Sequence, residues 1–149
     1  MLKLNYNNYL KEKDFDFESK YYELFKFKEK KFEKLKEDYP YSIIFYNVSF
    51  KDLVFFDLDL LNKIKNKTNN PFYDKKRVEK IFNYEDSQNK KITPFFTDNF
   101  DFKTCFYCNK DFITNFEKQK GVYTSTFQLD HFYDKGTYPY LALSFYNLI

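Results

Sequence analysis

Between Glu18 and Tyr39 the apolar side chains Tyr21, Leu24, Phe25, Phe32, Leu35 and Tyr39 recur at spacings of three, four and seven, and Pro40 ends the run. That spacing gives an α-helix one dry face. A dry face must be covered by a second apolar surface, so this half of the chain is committed to packed helices. The opposite face carries Lys26, Lys30 and Lys34 with Glu29, Glu33 and Glu37. Charges of mixed sign read more readily as a solvated face than as a binding surface.

The neighbouring segments extend this helical reading. Residues 1–17 show no settled period and read as an irregular or partly extended lead-in. Tyr41–Val48 is a short apolar run that fits a strand or a buried helical turn equally well. Ser49 followed by Asp52 resembles a helix start, with Leu53, Phe56, Leu60 and Ile64 as its buried stripe. Asn66–Pro71 breaks that helix, and Asn70 before Pro71 opens a third, which runs to about Tyr84 with Val78, Ile81 and Phe82 inside. Ser87–Pro94 is polar and ends in proline. The expected division is therefore a helical amino-terminal region over 1–94 and a second region over 95–149.

With 149 residues, 43% of them hydrophobic, the chain has the size of one domain with a sizeable core. It contains no run of 18 apolar residues and does not start like a secretory signal, which points to the cytoplasm and away from membranes. Its 36 Phe and Tyr, and 25 basic residues of which one is Arg, have the look of an AT-rich coding sequence. Only the placement of the lysines then bears on nucleic-acid binding. Residues 63–91 hold 9 basic and 4 acidic side chains, whereas 1–62 hold 11 and 12 and 92–149 hold 5 and 6. Lys63, Lys65, Lys67, Lys75, Lys76, Arg77 and Lys80 in that middle segment are the candidates for tracking a phosphate backbone. Codon bias is the competing explanation.

Chemistry concentrates near the carboxyl end. Cys105 and Cys108 form a Cys-x-x-Cys turn whose two thiolates can reach one metal ion, with a redox pair or inert thiols as alternatives. A disulfide closing so short a loop would add little stability. Asp111–Glu117 and Val122–Leu129 are β-prone around a Lys120–Gly121 turn, which predicts a hairpin. Then comes the chain's one histidine, in Leu129-Asp130-His131, followed by the polar loop Asp134–Pro139 and an apolar stretch with Asn147. A carboxylate beside an imidazole offers a hard ligand for a divalent cation and a base that titrates near neutrality. Lys135 lies in that loop, where contact with phosphate is a candidate role. Tyr138, Tyr140, Phe145 and Tyr146 read as packing residues.

The order TCFYCN, then FQLDHFYDKGTYPYLALSFYNLI, resembles the zinc-containing bacterial branch of the HNH endonuclease family over about residues 104–149. The resemblance implies an α+β chain: a helical amino-terminal region, a β-hairpin and a ββα-metal element, here incomplete, over 95–149. It implies hydrolysis of nucleic-acid phosphodiester bonds, DNA in preference to RNA. His131 would be the general base and Asp130 the ligand of a catalytic Mg²⁺ or Mn²⁺. Asn147 would either orient the histidine loop or join the metal shell. Cys105 and Cys108 would be half of a structural Zn²⁺ site.

The departures from the family pattern are specific. The family continues into a second Cys pair and a helix bearing a further His or Asn. This sequence stops at Ile149, with no other Cys or His. Structural zinc takes four protein ligands, so the site cannot be completed in the family's way. Leu148 and Ile149 would lose the helix that normally covers them. A truncated family member is the expectation. The alternative is a non-catalytic interaction module or inactive remnant, in which two chains pool their Cys pairs around a shared zinc.

Overall fold

The computed structural model describes residues 5–39, 45, 48–57, 59, 74–102, 115–119, 122–125 and 129–148, with the side chains of 115–125 excepted. Contacts group the chain into two units, one comprising Glu18–Tyr84 with His131–Leu148, the other Met1–Phe17, Glu85–Asp130 and Ile149. This grouping does not follow a single division at residue 94.

In the unit containing Glu18–Tyr84, four of the six stripe residues are buried, Leu24 and Tyr39 are half-buried, and the helix that carries them is broken. Helix α1 spans Phe17–Glu23, a 3-10 turn follows over Lys26–Lys28, and α2 runs Glu29–Asp38. Tyr21, Phe25, Phe32 and Leu35 are fully buried. Lys28 joins them at one helical turn from Phe25 and Phe32, and its Nζ donates to the Ile81 carbonyl at 2.7 Å. Helix α3, Phe50–Val54, starts at Ser49 through a capping box with Asp52. The two groups satisfy two backbone donors that the helix start leaves open. Helix α4, Lys75–Ile81, is capped by Asp74, which accepts from the Arg77 amide at 3.1 Å. Val78, Ile81 and Phe82 are buried as its pattern requires. Leu60, Ile64, Asn70 and Pro71 lie outside the described residues.

Rings fill the space between these helices. The Phe32 ring meets Phe45 at 5.4 Å and Phe82 at 5.9 Å, both nearly edge-on. Tyr21 meets Phe145 at 5.1 Å and donates its hydroxyl to the Leu143 carbonyl at 3.0 Å. Edge-to-face contacts of this kind add to what burial alone contributes. Helices α3 and α4 both pack on the 3-10 turn Pro139–Leu141, so the helices form the floor beneath the 131–148 segment. Leu148 is fully buried there, contrary to the expectation that it would lack cover.

In the other unit, Tyr6 is the hub of an aromatic cluster with Phe17, Phe96, Phe100 and Phe102, at centroid distances of 5.7–6.4 Å. The lead-in, read as irregular, forms a 3-10 turn over Tyr6–Tyr9 and is tied to residues 99–101. Lys11 N donates to Asn99 O, Asp101 N donates to Tyr9 O, and Leu10 bridges Phe100. The polar stretch expected to be a boundary is helical. Tyr84–Ser87 (α5) passes into a π-turn, Gln88–Ile92, and then into α6, Thr93–Asn99. Pro94 sits in the first turn of α6 directly after the π-turn, so the helical path runs through it and does not end there.

The α+β expectation is corrected. Of the residues described to the side chain, 61% are helical, which makes the fold mainly helical. Within that part the β-structure amounts to the isolated bridges Leu10–Phe100 and His131–Leu148. Two short strands, β1 (Asn115–Gln119) and β2 (Val122–Ser125), pair antiparallel with one another alone, in the register Asn115–Ser125 to Gln119–Val122. Among the described residues neither strand joins a helix in a ββα-metal element. Leu129 and Asp130 are irregular, so Asp130-His131 does not close a strand. The reason is local. The residues from Tyr138 onward form successive one-turn helices through i to i+3 hydrogen bonds, which compete with a second strand. Among the described residues no helix is long and apolar enough to cross a membrane.

Candidate functional site

The 131–148 segment is a tightly bonded loop closed at its two ends. His131 bridges Leu148, and the Phe132 amide donates to the Asn147 carbonyl at 3.0 Å. Between these ends, Asp134 accepts from the Thr137 amide at 2.8 Å and from its hydroxyl at 2.9 Å, which closes a turn around Gly136. These Thr137 bonds, the side-chain one foremost, hold the Asp134 carboxyl below its usual range, with the Gly136 amide and the nearby His131 contributing less. Pro139 opens the turn Pro139–Leu141, its fixed φ suiting the first position.

Asn147 is the internal clamp. It is fully buried, and its three polar contacts all go to main chain. Oδ1 accepts from Tyr133 N at 2.7 Å, while Nδ2 donates to Tyr133 O and to Leu141 O, each at 3.1 Å. One side chain thereby fixes the strand of chain after His131 against the turn before Ala142. All three bonds are to the loop's own main chain, the kind of contact that a loop-orienting side chain makes.

His131 is half-buried. Its Nε2 lies 2.9 Å from the Ala142 carbonyl oxygen. A carbonyl can only accept, so this contact assigns the proton to Nε2 and makes Nδ1 the nitrogen that bears the lone pair. The buried Tyr84 ring stands edge-on to the imidazole at 4.4 Å and limits its rotation. The Lys135 ammonium lies 5.1 Å from the centre of the same Tyr84 ring, within cation–π range. Sequence reasoning missed Tyr84, whose aromatic type alone gives no sign of a partner. It also missed the Ala142, Tyr133 and Leu141 carbonyls, which no side-chain pattern can reveal.

The remaining candidates are placed as follows. Asp130 is exposed and groups with the other unit. Cys105, Cys108, Lys63, Lys65 and Lys67 lie outside the described residues. Lys75, Lys76 and Lys80 are exposed on α4, with Lys75 3.8 Å from Glu79. Arg77 is turned to Asp38 on α2 at 2.5 Å, which makes it a helix-to-helix tie. Among the described residues no group of three or more His, Cys, Asp or Glu converges as metal ligands. A structural zinc site therefore finds no ligand set there. Magnesium is less demanding, because it keeps several waters and takes one or two carboxylates plus substrate phosphate. The exposed carboxylate of Asp130 is a donor of that type.

No protein-family model, curated protein or solved structure matches this chain.

Proposed function

We propose that this chain acts on nucleic acid as a metal-dependent endonuclease of the HNH type, with His131 as the general base. The observation that carries the reading is the His131 imidazole, held through Nε2 by the Ala142 carbonyl on a loop that Asn147 clamps. Function is argued from this site and not from the fold, which departs from the family's.

Nδ1 of His131 takes a proton from the attacking water. The Ala142 carbonyl, bonded to the opposite nitrogen, holds the ring in place. Asn147 keeps the loop in register, and Tyr84 limits the ring's rotation, so little reorganisation is needed as the proton moves. Asp130, the residue before His131 in the chain, would hold the divalent cation. When bound, Mg²⁺ or Mn²⁺ supplies stabilisation of charge on the phosphate and its leaving oxygen. Lys135 is the nearest candidate for the phosphate itself.

The test is release of fragments from end-labelled DNA, single-stranded and duplex, in the presence of Mg²⁺ or Mn²⁺. His131→Ala is expected to lower the rate about 10²- to 10⁴-fold, the usual worth of a positioned base. Cleavage that survives this substitution unchanged would overturn the assignment.

A further inference from the structure

We infer that helix α4 holds the nucleic acid by its backbone, with Lys76 and Lys80 contacting phosphates that flank the bond presented to His131. The inference rests on the endonuclease reading for the kind of molecule bound, and adds the surface that binds it and a mode of binding independent of base sequence.

Lysine is abundant throughout the chain, so what matters is how the lysines are set among acids. Helix α2, EKKFEKLKED, carries four lysines and four carboxylates. Lys34 lies 3.1 Å from Asp38, and Lys36 lies 3.5 Å from Glu33. Opposite charges interleaved in this way leave little net field in salt solution. Helix α4, KKRVEKI, carries four basic residues and one acidic one. Asp38 takes Arg77, and Glu79 takes Lys75. Among the described residues no carboxylate lies within ion-pair distance of Lys76 or Lys80.

These two lysines are exposed and one helical turn apart, on the face away from the buried Val78 and Ile81. Their backbone is fixed from beneath. The Lys28 ammonium donates to the Ile81 carbonyl at 2.7 Å, and α4 packs on the turn Pro139–Leu141. The next residue after that turn is Ala142, whose carbonyl holds the His131 imidazole.

The chain also links the lysine row to the proposed base. Tyr84 follows Lys80 by four residues, and its ring lies 4.4 Å from the imidazole and 5.1 Å from the Lys135 ammonium. Four residues of extended chain span at most about 14 Å. At about 3.4 Å of axis per nucleotide, Lys80 starts within about four nucleotides of the site. Exposed carboxylates, Glu85 and Asp86, come directly after Tyr84, so along the chain the basic run ends there. The Asp134 carboxylate, next to Lys135 in sequence, is bonded to Thr137. Lysines that meet phosphate position a strand without reading its bases, and they serve single and double strands alike.

The experiment measures binding of a labelled DNA duplex, and of one of its strands, in chelator so that no cleavage occurs, over about 50 to 200 mM salt. Lys76→Gln combined with Lys80→Gln should weaken binding about 10- to 100-fold at about 0.1 M salt. It should also reduce the slope of log affinity against log salt by about 2, equally for unrelated sequences. Lys30→Gln combined with Lys31→Gln removes the same charge from α2 and should change that slope by less than about 1. The inference is overturned if the α4 variant binds like the unaltered protein, if the α2 variant loses as much, or if the loss is confined to one sequence. Binding through α4 without cleavage when Mg²⁺ is added upholds the inference and overturns the endonuclease reading. Cleavage with α4-independent binding does the reverse.

Discussion

Asn147 holds both ends of the Tyr133 peptide group pair at once, its Oδ1 taking the Tyr133 N–H at 2.7 Å and its Nδ2 reaching the Tyr133 carbonyl at 3.1 Å. A third bond from Nδ2 to Leu141 O ties in the turn that leads to Ala142. The orientation of His131 thus depends on a residue sixteen positions away that does not touch its ring.

Replacing Asn147 by Ala would strand three main-chain groups in a fully buried setting. A buried polar group left unmade costs about 1–3 kcal/mol, and such groups share their relaxation. Asn147→Ala is expected to destabilise the protein by roughly 2–4 kcal/mol, measured by denaturant unfolding. A loss below about 1 kcal/mol would show that the clamp is not formed in solution.

Lys28 is a second device of this kind, placed where a charge was not expected. Its buried ammonium meets the last carbonyl of α4, where an unsatisfied acceptor and the negative end of the helix dipole coincide. Lys28→Met keeps the apolar stem and removes the donor. The expected cost is about 1.5–3 kcal/mol, read from the same unfolding measurement, with an unchanged midpoint as the contrary result.

Tyr21 separates packing from hydrogen bonding within one side chain. Tyr21→Phe deletes the bond to the Leu143 carbonyl and retains the ring contacts with Phe25 and Phe145. A loss of about 1 kcal/mol is expected. Tyr21→Ala, which also removes the ring, should cost about 3–5 kcal/mol. Equal effects of the two would contradict this division.

Much of this was legible in the sequence, and the reasons for the rest are physical. The buried members of the stripe, Tyr21, Phe25, Phe32 and Leu35, and the Ser49–Asp52 start depend on local periodicity and capping, which sequence displays directly, while Leu24 and Tyr39 of the same stripe are only half-buried. The burial of Lys28 depends on a carbonyl 53 residues away. Ser87–Pro94 reads as a boundary because it is polar and ends in proline, whereas proline is also tolerated in a first helical turn and the stretch is helical. Near the carboxyl end, the sequence marks His131 and Asn147 as candidates by type and order. The groups they bond to are mostly backbone carbonyls, which every residue possesses and no motif marks.

Acid should loosen the α2–α4 tie. The Arg77 guanidinium and, after it, Lys34 hold the Asp38 carboxyl below its usual range. The unfolded chain then binds a proton more readily than the folded one, so this contribution is present above the unfolded carboxylate's titration and is lost as pH falls through the folded one. Asp38→Asn is expected to lower the melting temperature at neutral pH and to flatten its fall toward acid. A melting curve against pH with the same slope in both proteins would contradict the tie.

The chain's single histidine allows the proposed base to be observed without ambiguity by nitrogen-15 NMR of the imidazole, recorded above its titration. With Nε2 bonded to the Ala142 carbonyl, the expected result is one tautomer, with the proton on Nε2 and not on Nδ1. A ring protonated at Nδ1, or an exchanging mixture of both forms, would contradict the assignment of His131 as a base presented through Nδ1.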